Sequence, residues 1–186
     1  TWTGRPGFYG LSLRAMELLR LLKLIAIALV VVLPARAWVA EPVYVASPSM
    51  EPTLKTGTML ILDKLTLRMR PPQRGDVLSF RSPVDNHDLL KRVVALPGET
   101  VEMRKKVVFI NGKELDEPYA VHSRAEESLD GDNMGPLIVP ENGFFVLGDN
   151  RDESNDSSVW KDAEGNPVRF LRLRLIQGIV RRLPWA

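Results

Sequence analysis

From position 18 to position 40 nearly every residue is apolar (LLRLLKLIAIALVVVLPARAWVA), and beyond Glu41 the pattern changes to short apolar runs cut by Gly, Pro and charged side chains. The first pattern predicts a membrane-spanning helix, which takes about 20 such residues and tolerates charges near its ends. Arg20 and Lys23 stand at one end and Arg36 at the other, leaving a strictly uncharged run over 24–35. The same stretch also fits a cleaved signal peptide, with positive charge ahead of the apolar run and Ala35-Arg36-Ala37 as an A-x-A site. It fits a core helix as well. Against cleavage, the chain stays apolar through Trp38 and Val39, and Trp2 and Trp38 suit the two membrane interfaces. Arg5, Arg14, Arg20 and Lys23 precede the run and Arg36 alone follows closely, so the positive-inside rule puts the N-terminus in the cytoplasm and the chain after Ala40 on the other side.

The second pattern predicts an all-β domain. Strands are expected at 58–63, 76–81, 89–96, 100–104, 107–110, 137–139, 143–147 and 175–182. Asn111-Gly112 after Val-Val-Phe-Ile is a two-residue hairpin signal leading to a brief partner at 113–115, and the polar stretch 117–135 is expected as a surface loop. The organisation is then a short cytoplasmic segment (1–17), an anchor (18–40) and a β-rich domain outside the cytoplasm (41–186).

Composition narrows the chemistry more than it shapes the fold. The 186 residues suffice for one domain plus an anchor. Without cysteine there are no disulfides, no thiol catalysis and no cysteine-zinc sites. A formal net charge of +2 and the lack of any nucleic-acid-binding signature give no support to a nucleic-acid partner. No glycine-rich phosphate-binding motif is present. Two histidines, His87 and His122, leave little room for histidine-based metal sites or triads.

Three stretches carry candidate chemistry. Ser47-Pro48-Ser49-Met50-Glu51-Pro52-Thr53-Leu54 makes a poor strand and a poor helix, and is expected as a rigid, exposed turn presenting a serine oxygen. That hydroxyl needs a base to become a nucleophile. In Leu89-Leu90-Lys91-Arg92-Val93-Val94, strand alternation puts Lys91 with Leu89 and Val93. A desolvated lysine loses its proton easily, and the neutral amine is a base. Arg92 stays charged and needs a carboxylate. The third stretch runs from a buried strand at 143–147 through a hinge glycine into Asp149-Asn150-Arg151-Asp152-Glu153-Ser154-Asn155-Asp156-Ser157-Ser158, where Asp149 is a candidate partner for Arg92 and Ser154 a candidate supporting hydroxyl. Plainer roles compete: Ser49 as a turn serine, Lys91 as an edge lysine, 148–158 as a solvated or calcium-binding loop, and His87 as the base of a Ser-His-Asp triad.

Taken together and in order, the apolar span, SPSMEPTL, RGDVLSF (74–80), LLKRVVALPGE (89–99) and VLGDNRDESNDSS (146–158) resemble the bacterial type I signal peptidases. The resemblance implies an antiparallel β-sheet catalytic domain beside the membrane that removes signal peptides from exported preproteins after small residues. It implies a Ser-Lys dyad with no metal and no cofactor. Ser49 is then the nucleophile, Lys91 the general base, Ser47 a stabiliser of the oxyanion and Ser154 the residue that orients Lys91. Asp149 and Arg92 correspond to a structural ion pair, and Asp156 to a carboxylate that pairs with an arginine at the position held here by Ser158. Val43, Val45, Met50, Asp88 and Leu90 correspond to the substrate cleft. The implied partners are preproteins and the lipid bilayer, and the implied place is a bacterial plasma membrane or, alternatively, a thylakoid membrane. Beyond Trp160 the chain departs from the family pattern. A self-cleaving repressor-type Ser-Lys peptidase and an inactive anchored binding domain are the other classes compatible with parts of this pattern.

Overall fold

The computed structural model describes residues 13–182, so Trp2, Arg5 and most of the expected segment 1–17 lie outside the described residues. The chain divides into two units, Thr1–Val39 and Ala40–Ala186. The first contains helix α1 (Leu13–Trp38), whose side chains from Leu18 to Leu33 are apolar except at Arg20 and Lys23 and stand largely exposed. The expected span falls on this helix. Among the described residues, however, no helix is long and apolar enough to cross a membrane: Glu17, Arg20 and Lys23 interrupt its first half, and the side chains at 34–38 are not among those described.

The second unit is built from antiparallel strands: β1 (Ala40–Tyr44), β2 (Met59–Asp63), β3 (Val77–Arg81), β4 (Asp88–Ala95), β5 (Thr100–Arg104), β6 (Val107–Ile110), β7 (Lys113–Glu114), β8 (Met134–Ile138), β9 (Gly143–Leu147), β10 (Leu171–Arg172) and β11 (Ile176–Arg181). A short helix, α2 (Thr66–Met69), follows β2. Seven strands form one sheet in the order β1-β2-β11-β3-β4-β9-β10, and four form another, β7-β6-β5-β8. The mainly β, antiparallel architecture agrees with the expectation from alternating apolar runs.

Two strands escaped the sequence pattern for a physical reason. β1 contains Pro42 and β10 is only two residues long, and each sits at an edge of the large sheet. Proline cannot donate to a ladder, so it is tolerated at an edge, where one side of the strand is unpaired. β8 likewise begins at Met134 rather than at 137 and carries Pro136 on the edge of the small sheet. The hairpin signal is met by β6 and β7, with Ile110 opposite Lys113 and both Asn111 (φ 51°) and Gly112 (φ 78°) left-handed, as this turn requires.

Three apolar clusters hold the unit together. Val94, Ala95, Phe145 and Leu147 of the large sheet pack on Val101, Met103, Val108 and Ile110 of the small one. Leu78, Phe80, Val93, Val146 and Trp160 form a second cluster, in which Phe80 meets Trp160 edge to face at 5.8 Å. The third, Val45, Met50, Leu54, Leu60 and Leu62, underlies the segment that follows β1.

Candidate active site

Pro48–Met50 folds as one turn of 3-10 helix, with Pro48 in the first position, where its fixed φ fits and its missing N–H costs nothing. Glu51 N–H donates to the Pro48 carbonyl at 3.0 Å and Leu54 N–H to the Met50 carbonyl at 2.8 Å. Ser47, Pro48 and Pro52 stand exposed as the prolines suggested, but the rest of the turn does not. Met50 and Leu54 are buried in the third cluster, a contribution of about 1.5–3 kcal/mol for each such side chain. Their burial draws Ser49 down to 5% exposure.

Lys91 comes from the middle of β4 and is only 2% exposed. Its Nζ lies 2.7 Å from Ser49 Oγ. A charged ammonium donates across that distance; a neutral amine can accept the serine proton instead. Burial pushes the Lys91 pKa down to about 8, against the opposing pull of the Asp156 and Asp149 carboxylates. Ser47 Oγ stands 3.1 Å from Ser49 Oγ, on the rim of the turn.

Ser154 is placed differently from its expected role. Its Oγ donates to Asp156 Oδ2 at 2.5 Å and makes no hydrogen bond to Lys91. Asp156 is buried and also accepts from Gly148 N–H (2.9 Å), Ser158 N–H (3.0 Å) and Ser158 Oγ (2.7 Å). Ser158 thus meets Asp156 by hydrogen bonds where an arginine would meet it by charge, while Arg169 donates to the Ser157 and Ser158 carbonyls. Arg92 grips Asp149 with two prongs, Nε to Oδ1 at 2.8 Å and Nη2 to Oδ2 at 2.5 Å, and its guanidinium lies 4.1 Å over the Tyr119 ring.

The histidine and calcium alternatives do not survive the geometry. His87 is 80% exposed and pairs with Asp85 at 3.2 Å, away from Ser49. The carboxylates of loop 148–158 are already engaged: Asp149 with Arg92, Asp152 with Lys106, and Asp156 with backbone and hydroxyl donors. Among the described residues no group of His, Asp and Glu could hold a metal ion. Of the expected cleft residues, Val45 and Met50 are buried beneath the turn, with Val43 and Leu90 packed against them. Val43, Leu90 and Asp88 also line one pocket of about 320 Å³.

Two contacts went unread in the sequence. Asn150 N–H donates to the Ser49 carbonyl at 3.1 Å, and Gly148 lies so close that an added Cβ would sit 2.5 Å from that same carbonyl. The glycine ahead of the polar loop was the visible signal. It marks a close backbone approach rather than a flexible hinge. Gly148→Ala is therefore expected to push the Ser49 turn aside and to lower kcat about 10²-fold, since displacements near 1 Å cost that much in a positioned site. Turnover of Gly148→Ala and of wild type, with circular dichroism to confirm folding, is the check; unchanged kcat would mean the contact is slack.

A serine hydroxyl held against a buried amine on a β-sheet scaffold is an arrangement from which a serine hydrolase can work without histidine. The family model "Signal peptidase, peptidase S26" matches residues 18–181. "Probable signal peptidase I-1" of Synechocystis sp. is 41% identical over 145 residues, covering 74% of this chain and 71% of its own. "Signal peptidase I" of Bacillus licheniformis is 41% identical over 140 residues, covering 73% and 75%. The crystal structure of a signal peptidase I from Enterococcus faecalis V583 is 32% identical, covers 60% of this chain and 98% of its own, and superposes with a TM-score of 0.46. The chain belongs to the signal peptidase family, peptidase S26, and is a hydrolase.

Proposed function

We propose that this protein is a membrane-associated signal peptidase that cuts signal peptides from exported preproteins after small residues of the A-x-A type. Ser49 is the nucleophile and Lys91 the general base. The observation that carries the proposal is the 2.7 Å separation of Lys91 Nζ and Ser49 Oγ inside an almost fully buried site. Neutral Lys91 takes the Ser49 proton as Oγ bonds to the scissile carbonyl carbon. The Ser47 hydroxyl and the Ser49 N–H stabilise the oxyanion, each such donor being worth about 2.7–4 kcal/mol. Lys91 then gives its proton to the leaving amine as the C–N bond breaks. A water attacks the acyl-serine with Lys91 again as base, which releases the new carboxyl end and restores Ser49. Ser154 acts through Asp156, whose carboxylate acts on Lys91 through its charge, and the Arg92–Asp149 pair shapes the loop beside the nucleophile.

Helix α1 is the anchor in this proposal. The stretch 24–33 of this exposed helix is apolar on all sides and suits lipid better than water, and Arg20 and Lys23 reach the headgroups by snorkelling. The 1–17 segment lies in the cytoplasm, 18–40 in the membrane, and 41–186 on the outer face of a bacterial plasma membrane or, alternatively, of a thylakoid. A signal peptide is itself membrane-inserted, so enzyme and substrate meet at one surface.

The pH profile tests the base. Only the neutral amine accepts a proton, so kcat/KM on a preprotein is expected to rise with unit slope toward about pH 8 and then level off. A limb centred near the ordinary histidine value would transfer the role to an imidazole.

A further inference from the structure

The pocket that holds Val43 and Leu90 opens among strands β1, β2, β3, β4 and β11. Val43, Leu62 and Leu90 give it apolar walls, and buried Ser79 with the half-buried amide of Gln177 gives it a polar patch. Ser79 Oγ donates to Gln177 Oε1 at 2.8 Å, and Gln177 Nε2 donates to Asp88 Oδ1 at 2.7 Å. A carboxylate only accepts, which fixes the amide with its NH2 toward Asp88 and its carbonyl toward Ser79. Asp88 is in turn held by Arg81 at 3.1 Å. This chain of bonds leaves Gln177 one N–H and one carbonyl lone pair unspent. A hydroxyl, which both donates and accepts, is the smallest side-chain group that satisfies both.

The pocket's place along the strands says which substrate residue it receives. Val43 lies on β1, and Val45, buried with Met50 against the nucleophile turn, follows it two residues on, just past the strand's end, about 7 Å away in extended chain. On β4, Leu90 directly precedes Lys91 and Asp88 lies two residues further back. A peptide extended along these strands, with its scissile carbonyl at Ser49, sets its last side chain before the cut near Val45 and Met50. Its second side chain points away, and its third, one repeat back, enters the pocket at Val43 and Leu90.

We infer that Gln177 and Ser79 are specificity-determining residues that make the enzyme favour preproteins with serine or threonine three residues before the cut. The inference rests on the peptidase reading above and narrows its substrate class. An aliphatic side chain at that position would displace water from Gln177 without replacing its hydrogen bonds, and pockets built to bond a hydroxyl discriminate against analogues that lack it.

The test uses the full chain in detergent micelles and preprotein substrates with alanine fixed at the last position before the cut and Ser, Thr, Ala, Val or Leu at the third. Serine and threonine are expected to exceed valine in kcat/KM by about three- to tenfold, the worth of one hydrogen bond. Gln177→Leu and the paired Ser79→Val/Gln177→Leu variant are expected to reverse that order. The readout is the ratio within each preparation, so any loss of folded enzyme cancels. Valine equal or superior to serine in the wild type, or a ratio unmoved in both variants, overturns the inference while leaving the peptidase standing. Failure to cut any of the substrates overturns both.

Discussion

Ser49→Ala and Lys91→Ala are each expected to lower preprotein cleavage by on the order of 10⁴-fold or more, and the double variant by no more than either alone. The two groups act as one unit: the hydroxyl is a poor nucleophile without a base, and the amine has nothing to deprotonate without the serine. Lys91→Arg should fare no better, because a guanidinium stays protonated and cannot accept the serine proton. Lys91→Met separates chemistry from folding. It replaces an amine that the fold has to desolvate with an apolar side chain of similar reach, so the protein should be inactive yet at least as stable as wild type. Because the amine's pKa is depressed by folding, the wild type should gain stability as pH rises from about 8 toward the ordinary lysine value, and Lys91→Met should lack that gain. Exposed His87 provides the control: His87→Ala should cut at close to the wild-type rate. Retention of more than about a tenth of the activity in Lys91→Ala, or loss of it in His87→Ala, would end the dyad hypothesis.

What the sequence made legible follows from range and burial. Apolar runs bounded by turn signals, such as β5, β6 and β9, have the bounds expected of them. Edge strands with proline or of two residues carry no such signal, and β1 and β10 were invisible. The chemistry of single residues was readable too: a lysine among aliphatics has to be desolvated, and a neighbouring arginine has to find an anion. What could not be read is where partners meet. Ser49 and Lys91 are 42 positions apart and Arg92 and Asp149 are 57 apart; the turn after β1 closing on β4 joins the first pair, and β4 lying beside β9 joins the second. The turn around Ser49 reads as wholly exposed because its prolines and hydroxyls dominate the local pattern. Met50 and Leu54, which sink it, carry no local signal until the third cluster closes beneath them. Ser154 is expected by position to orient Lys91, and its hydroxyl turns instead to Asp156, two residues on.

Asp149→Ala is expected to cost about 3–5 kcal/mol of folding stability, the usual penalty for stranding one member of a buried pair. The Asp149 side chain is 1% exposed and that of Arg92 12%, so the guanidinium left behind keeps the Gly75 carbonyl, the Tyr119 ring and the charge of Glu117 but no direct carboxylate partner. The contrast is the Arg104–Glu102 pair, where Arg104 is largely exposed; Glu102→Ala should cost under about 1 kcal/mol. Removing both buried partners, as in Arg92→Met/Asp149→Leu, should cost far less than the two single changes summed, because no unpaired charge remains. Urea denaturation of the single and double variants completes the cycle. The site should register the change as well. The Asp149 carboxylate favours the charged form of Lys91, so its loss should lower the amine's proton affinity further and move the pH profile of the folded fraction toward acid. Asp149→Asn, which keeps the shape and loses the charge, should show the same acid shift with less damage to stability. A profile that moves toward alkali instead, or a single variant as stable as wild type, would mean that Asp149 neither holds Arg92 nor reaches Lys91.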